Sequence, residues 1–230
     1  MFPGITAVAF DLDGTLYPNY RLNVRLIPFA LRHGPLLAAF GRARSIIRRE
    51  QKLSPDAFQT NFYDYQARIT AKILKTQPEP VREKIDSLMY KGWIRHFTKI
   101  KLFPHVRECL DRLRAAKFKT GLLSDFPPHA KLESLGLTGC WDTVLCSEDL
   151  GALKPARRPF EELARALDRP PGQVLYVGNS RRYDAEGAGR AGMKTALKTS
   201  RCNPGVFSKR KAGANFVFHD YRQLCDFMLH

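Results

Sequence analysis

The 230 residues are 44% hydrophobic, enough apolar material for a sizeable core and too much for a disordered chain. The formal net charge of +16 is the unusual bulk property, and it suggests an anionic substrate or partner. No apolar run reaches the roughly 18 residues of a membrane span, and Met1-Phe2-Pro3-Gly4 lacks the basic and long apolar regions of a signal peptide, so a soluble cytoplasmic protein is expected.

The first element is a buried strand over residues 5–10, apolar and rich in strand formers, which delivers Asp11-Leu12-Asp13-Gly14-Thr15-Leu16 at its C-terminal end. Two aspartates one residue apart on a strand face opposite ways, so serving one site requires a turn after Asp11, which Gly14 permits. Such paired carboxylates can hold Mg2+, or divide the roles of nucleophile and proton carrier.

The pattern then turns helical. Leu22, Leu26 and Phe29 share one predicted helix face, and Leu36, Phe40, Ala43 and Ile47 a second. Ser54-Pro55 reads as a cap opening a third helix with Phe58, Phe62, Tyr65, Ile69 and Ile73 on one stripe. A fourth, after Pro78 and Pro80, turns Val81, Ile85, Leu88 and Met89 inward and continues to about Phe97. Residues 18–101 are therefore expected to form an all-helical module inserted into something else. Its stretch from Arg21 to Lys52 carries Arg25, Arg32, Arg42, Arg44, Arg48 and Arg49 against Glu50 alone. A solvated helix face is preferred there over a nucleic-acid or anionic-membrane surface, because no nucleic-acid motif or interleaved aromatic pattern accompanies the charge.

Strands resume at residues 120–124, ending in Ser124-Asp125, and continue at residues 142–146, 174–177, near 195–197 and at 215–218, with helices between them. Alternating strand and helix implies an α/β core, a Rossmann-like parallel sheet with helices on both faces. Cys109, Cys140, Cys146, Cys202 and Cys225 are scattered without C-x-x-C spacing, which fits reduced buried thiols better than zinc or disulfides. Gly187-Ala188-Gly189-Arg190-Ala191-Gly192 matches a dinucleotide fingerprint but sits at a helix end, where close helix packing explains it better. Ser208-Lys209-Arg210-Lys211 is read as a solvated loop.

Four signatures now stand in order at predicted strand ends: Asp11-Leu12-Asp13-Gly14-Thr15-Leu16, Leu123-Ser124-Asp125, Leu153-Lys154-Pro155, and Val177-Gly178-Asn179 through Asp184. In that combination the chain resembles the haloacid dehalogenase-like hydrolases over nearly its whole length. Asp13 makes it similar to the phosphatase branch, of the phosphoglycolate-phosphatase kind. The resemblance implies a catalytic core of residues 1–17 and 102–230 and a cap domain of residues 18–101. It implies Asp11 as nucleophile, Asp13 as acid and base, Ser124 as a hydroxyl donor to a phosphoryl oxygen, and Lys154 as a point charge that neutralises the phosphate or Asp11. Gly14, Thr15 and Asp125 complete the substrate-binding set.

It further implies Mg2+ at Asp11, Asp13, Asn179 and Asp184, although the family usually has an acid where Asn179 stands, and an amide brings no charge. The expected substrate is a small phosphorylated metabolite, with no membrane or nucleic-acid partner. A phosphomutase, a pyrophosphatase and a catalytically weakened binding or regulatory protein stay open as alternatives. Arg21, Arg25, Arg181 and Arg182 are candidates for an anionic substrate tail. Oligomeric state is not legible.

Overall fold

A computed structural model describes residues 2–54, 58–97, 100–200 and 213–229; Pro55, Cys202 and the run 208–211 lie outside them. Its centre is a six-stranded parallel sheet of β1 (Ala7–Phe10), β2 (Lys119–Ser124), β3 (Thr143–Cys146), β4 (Val174–Gly178), β5 (Lys194–Lys198) and β6 (Phe216–Phe218). The order across the sheet is β3-β2-β1-β4-β5-β6. The chain builds outward from β1 in one direction and then, at β4, in the other. That reversal leaves a crevice beyond the C-terminal ends of β1 and β4, where open α/β sheets bind ligands.

β1 is buried along its whole length, and its alternate side chains serve two cores. Val8 and Phe10 join Leu122, Leu175 and Val177 against Val106, Leu110 and Leu113 of a helix at Val106–Ala115 and Leu224 and Met228 of the C-terminal helix at Tyr221–Leu229. Ala7 and Ala9 join Leu123, Val174 and Tyr176 on the opposite face. Their small side chains admit a helix at Arg157–Ala166 that packs Phe160 and Leu163 there. Gly187 lies against Phe160 and Pro155 so closely that a Cβ would come 2.6 Å from the Phe160 ring, whereas Gly189 has open space around it and Gly192 takes φ +87°, so close packing accounts for the first glycine of the run alone.

Between β1 and the helix at Val106–Ala115, every described helix or strand is helical. We label these α1 (Asn19–Arg25), α2 (Ile27–Leu53), α3 (Phe62–Leu74) and α4 (Pro78–Lys84); α4 runs on into a π-helical turn at Ile85–Tyr90 and a 3-10 turn at Trp93–His96. Within α2, His33 leaves helical geometry two residues ahead of Pro35, whose ring and missing N–H break the preceding turn. Leu36, Phe40, Ala67, Ala71, Val81, Ile85 and Met89 form this segment's own core. The expected helix start at Ser54-Pro55 is corrected: Ser54 is the C-cap of α2, and α3 begins at Phe62 behind Asn61, whose side chain accepts from the Asp64 N–H. Phe58 is left exposed.

The basic stretch also needs correcting. Arg32, Arg42, Arg49 and Lys52 are solvated as expected, but Arg44 and Arg48 point inward. Arg44 pairs with Glu148 and, at 3.6 Å, with Asp125; Arg48 reaches Asp125 at 2.7 Å and the Lys154 carbonyl at 2.9 Å. Helical periodicity places such residues on one face but does not say that carboxylates wait opposite it. Cys109, Cys140, Cys146 and Cys225 are free and buried, and among the described residues no helix is long and apolar enough to cross a membrane.

Candidate active site

The ladder from β4 continues one residue past β1, with the Asp11 N–H donating to the Val177 carbonyl at 2.8 Å. The chain then turns: the Leu12 carbonyl accepts from Thr15 and Leu16, and Gly14 sits at φ +86°. A side chain at Gly14 would be strained in that conformation and would run into the amide groups of Asn179 and Asn19. The turn separates the two aspartates into different surroundings.

Asp11 is buried. Its carboxylate accepts from the Lys154 ammonium at 2.6 Å and the Thr15 hydroxyl at 2.7 Å. The same ammonium reaches Asp184 at 2.7 Å and the Tyr176 hydroxyl at 3.2 Å. Asp184 is fixed by its second oxygen, which accepts from the backbone N–H groups of Asn179 at 3.2 Å and Ser180 at 2.9 Å. Burial pushes Asp11 up to about 7; Lys154 opposes this, while the neighbouring carboxylates of Asp184 and Asp13 add to it. Burial also weakens the charge on Lys154, but Asp11 and Asp184 outweigh it and hold the ammonium well above its ordinary value.

Asp13 stands apart from this cluster. Both its oxygens accept from the Lys131 ammonium at 2.7 Å, and Tyr17 donates its hydroxyl to it as well. Ser124 is buried and accepts from the Phe126 N–H at 3.1 Å, keeping its own hydroxyl proton to donate. The Asp125 carboxylate accepts from the Lys154 N–H at 3.0 Å and pairs with Arg48 and Arg44. It thereby braces the Lys154 loop against α2. Burial raises its pKa, but Arg44, Arg48 and Lys154 more than reverse that and hold it below the ordinary carboxylate range.

The structure thus brings Asp11, Thr15, Lys154 and Asp184 into one cluster, with Gly14 against Asn179 beside it. Arg21, Arg25, Arg181 and Arg182 do not join that cluster: they engage Tyr20, the His96 carbonyl, Glu186 and Tyr183 respectively. Sequence reasoning missed Lys131, Tyr17 and Tyr176. Tyr176 lies in an apolar strand and Lys131 in a polar helix, and neither position carries a signal of its own.

Gly178 shows how tight the Asp184 side is. A Cβ there would overlap the Asp184 side chain, so Gly178→Ala is expected to displace that carboxylate. Overpacking of this kind costs about 1–3 kcal/mol. Thermal unfolding should report the loss of stability, and any activity should fall with it.

A family model for haloacid dehalogenase-like hydrolases matches residues 5–192. The chain belongs to that family. Among curated relatives, it is 29% identical to a glyceraldehyde 3-phosphate phosphatase of Methanopyrus kandleri, covering 83% of this chain and 82% of that one. It is 30% identical to a ribulose-1,5-bisphosphate 5-phosphatase of Halopiger xanaduensis, covering 84% of each. It is also 30% identical to a phosphoglycolate phosphatase of Salmonella paratyphi A, covering 87% and 84%. Similar solved structures include an L-2-haloacid dehalogenase (TM-score 0.68, 22% identity, 99% and 100% covered). A phosphatase of this family from Thermococcus onnurineus has a TM-score of 0.65 at 23% identity, with 98% of each chain covered. These structures share the fold with a dehalogenase and a phosphatase alike, so the fold does not choose between the two chemistries. This haloacid dehalogenase-like hydrolase is therefore related in sequence to phosphatases of small phosphate compounds.

Proposed function

We propose that this hydrolase cleaves a small phosphate monoester through an aspartyl-phosphate on Asp11, with Mg2+ as cofactor. The observation that carries the reading is the unlike placement of the two aspartates. Asp11 is buried between Lys154 and Thr15, while Asp13 is part-exposed on Lys131 and Tyr17. Two carboxylates in two environments divide nucleophile from acid and base.

An Asp11 oxygen attacks phosphorus, and the bond from phosphorus to the alcohol oxygen breaks as Asp13 delivers a proton to that oxygen. Water then attacks the phosphorus and loses a proton to Asp13, releasing inorganic phosphate and restoring Asp11. Ser124 donates to a phosphoryl oxygen and Lys154 balances charge. In the acid role Asp13 gives up its ion pair with Lys131, whose ammonium turns to the incoming phosphate dianion. The helical segment, as a cap over the crevice, excludes water from the acyl-phosphate.

The donor set suits Mg2+. Asp11 and Asp184 offer hard oxygen donors whose two charges Lys154 only half balances, and the Asn179 side-chain amide lies beside the neighbouring Gly14. Among the described residues no three His, Cys, Asp or Glu side chains gather as a metal cluster, so Mg2+ would keep several waters. When bound it would supply positive charge against the phosphoryl oxygens.

The test is a screen of phosphorylated metabolites with and without Mg2+. Mg2+-dependent release of phosphate from at least one ester is expected, and a folded protein that releases none overturns the reading. Asn179→Asp should strengthen the metal site, since an added charge in partly solvated surroundings is worth on the order of 1–3 kcal/mol, or about ten- to a hundredfold in affinity. A Mg2+ titration of activity checks this; an unchanged half-saturating concentration places Asn179 outside the metal site.

A further inference from the structure

A cavity of about 240 Å³ lies between the helical segment and the loop and helix that follow β2, with Lys131 in its wall. Tyr90, Trp93, Phe97 and Phe126 line it, with Met89 and Ala130 among the remaining walls. Lys131 joins it to the catalytic carboxylate: its ammonium bonds Asp13 at 2.7 Å and lies 5.4 Å from the Phe126 ring centre and 5.8 Å from that of Phe97. Tyr17, the other partner of Asp13, packs edge-on against Phe97 at 4.9 Å.

Interiors are close-packed, with few voids larger than a water molecule. Here Tyr90, Trp93 and Phe126 are only part-buried, with ring centres about the cavity 6.0 Å (Trp93 to Phe126) and 6.4 Å (Tyr90 to Phe126) apart. Part-buried aromatic rings around a void beside a reactive group make a recognition surface for another flat apolar group. Apart from the Tyr90 hydroxyl, the polar side chains of the lining are His129 and Lys131, both from one helix at the rim, and the charge of Lys131 is taken up by Asp13 or, with substrate bound, by the phosphate. The walls therefore favour a neutral ring over an acid or a polyol. The volume lies below the roughly 300–1,000 Å³ of sites for drug-sized ligands, which limits the occupant to about one ring.

We infer that the preferred substrate is the phosphate monoester of an alcohol carrying a single aromatic ring, with the leaving oxygen at Asp13 and the ring among Trp93, Phe97 and Phe126. This rests on the phosphatase reading above, and the experiment separates the two. Hydrolysis of benzyl phosphate is compared with that of ethyl phosphate and phosphoglycolate, and kcat/KM should be at least tenfold higher for the benzyl ester. Trp93→Ala should bring that ratio close to one. Ala130→Leu, at an exposed helix position, narrows the cavity without removing a core contact and should lower the same ratio.

Binding is read without turnover from tryptophan fluorescence. Of the two tryptophans, Trp93 lines the cavity, while Trp141 packs on Phe10 in the sheet core with ring centres 5.8 Å apart. Benzylphosphonate should perturb the emission saturably and methylphosphonate should not. Equal kcat/KM for all three esters overturns the ring preference and leaves the phosphatase reading standing. Saturable benzylphosphonate binding without hydrolysis of any ester does the reverse.

Discussion

Asp11→Asn is expected to abolish phosphatase turnover while leaving the protein folded. An amide oxygen is a far weaker nucleophile than a carboxylate, and loss of a nucleophile costs roughly four to six orders of magnitude in rate. The substitution keeps the shape of the side chain. It also removes one of the charges crowded around Lys154, whose bond to Asp184 at 2.7 Å remains. The burial that pushes Asp11 up to about 7 shows that its charge is costly where it stands, so the neutral isostere should unfold at a temperature close to that of the parent. The checks are kcat on a generic aryl phosphate with Mg2+ and a thermal melt. Turnover undiminished in the variant would remove Asp11 from the centre of the mechanism.

The largest stability effect is expected at Arg44, one salt bridge behind the Lys154 loop. Its guanidinium is buried, pairs with Glu148, donates to the Gln66 amide oxygen at 3.1 Å and stacks on Phe126 at 4.2 Å. Arg44→Met fills the same space but leaves Glu148 buried without its countercharge. Breaking a buried pair in this way costs about 3–5 kcal/mol. Glu148→Gln in the same background should recover much of the loss, because it removes the stranded charge.

The penalty should also depend on pH. Burial pushes Glu148 from 4.5 up to about 7 even with Arg44 opposing it, so the folded state holds this proton more tightly than the unfolded chain does. Stability from a raised carboxylate is present at low pH and is lost as pH rises through the folded value. Without Arg44 the folded value climbs further and the window of loss extends upward. Denaturant melts should therefore show a larger difference between variant and parent at pH 8 than at pH 5. A difference that does not change with pH would mean that Glu148 is not the source of the cost.

Much of the site was legible because it is local. The apolar β1 segment is followed at once by Asp11, β2 ends in Ser124, and β4 ends in Gly178 with Asp184 shortly after. In each case a run of strand formers stops and a polar residue follows, and parallel sheets place such junctions side by side at one edge. The cap signals were less dependable. Ser54-Pro55 is a good local helix start, yet α2 runs through to Leu53 and Asn61 takes the capping role, because packing of a long apolar face outweighs a cap worth about 1 kcal/mol.

What the sequence alone determined is therefore the sheet, its order of motifs, and the identity of Asp11, Asp13, Ser124, Lys154 and Asp184 as the chemical candidates. Tertiary structure decided which charges those residues meet. Lys131 reaches Asp13 across 118 positions and Arg44 reaches Glu148 across 104. A lysine or arginine on a helix looks the same in sequence whether it faces water or a carboxylate. The pairing also needs the helical segment and the sheet to close on each other, and so does the aromatic cavity. A charge or a ring buried in that way takes its energy from the surface opposite it, and no single stretch of chain contains both sides.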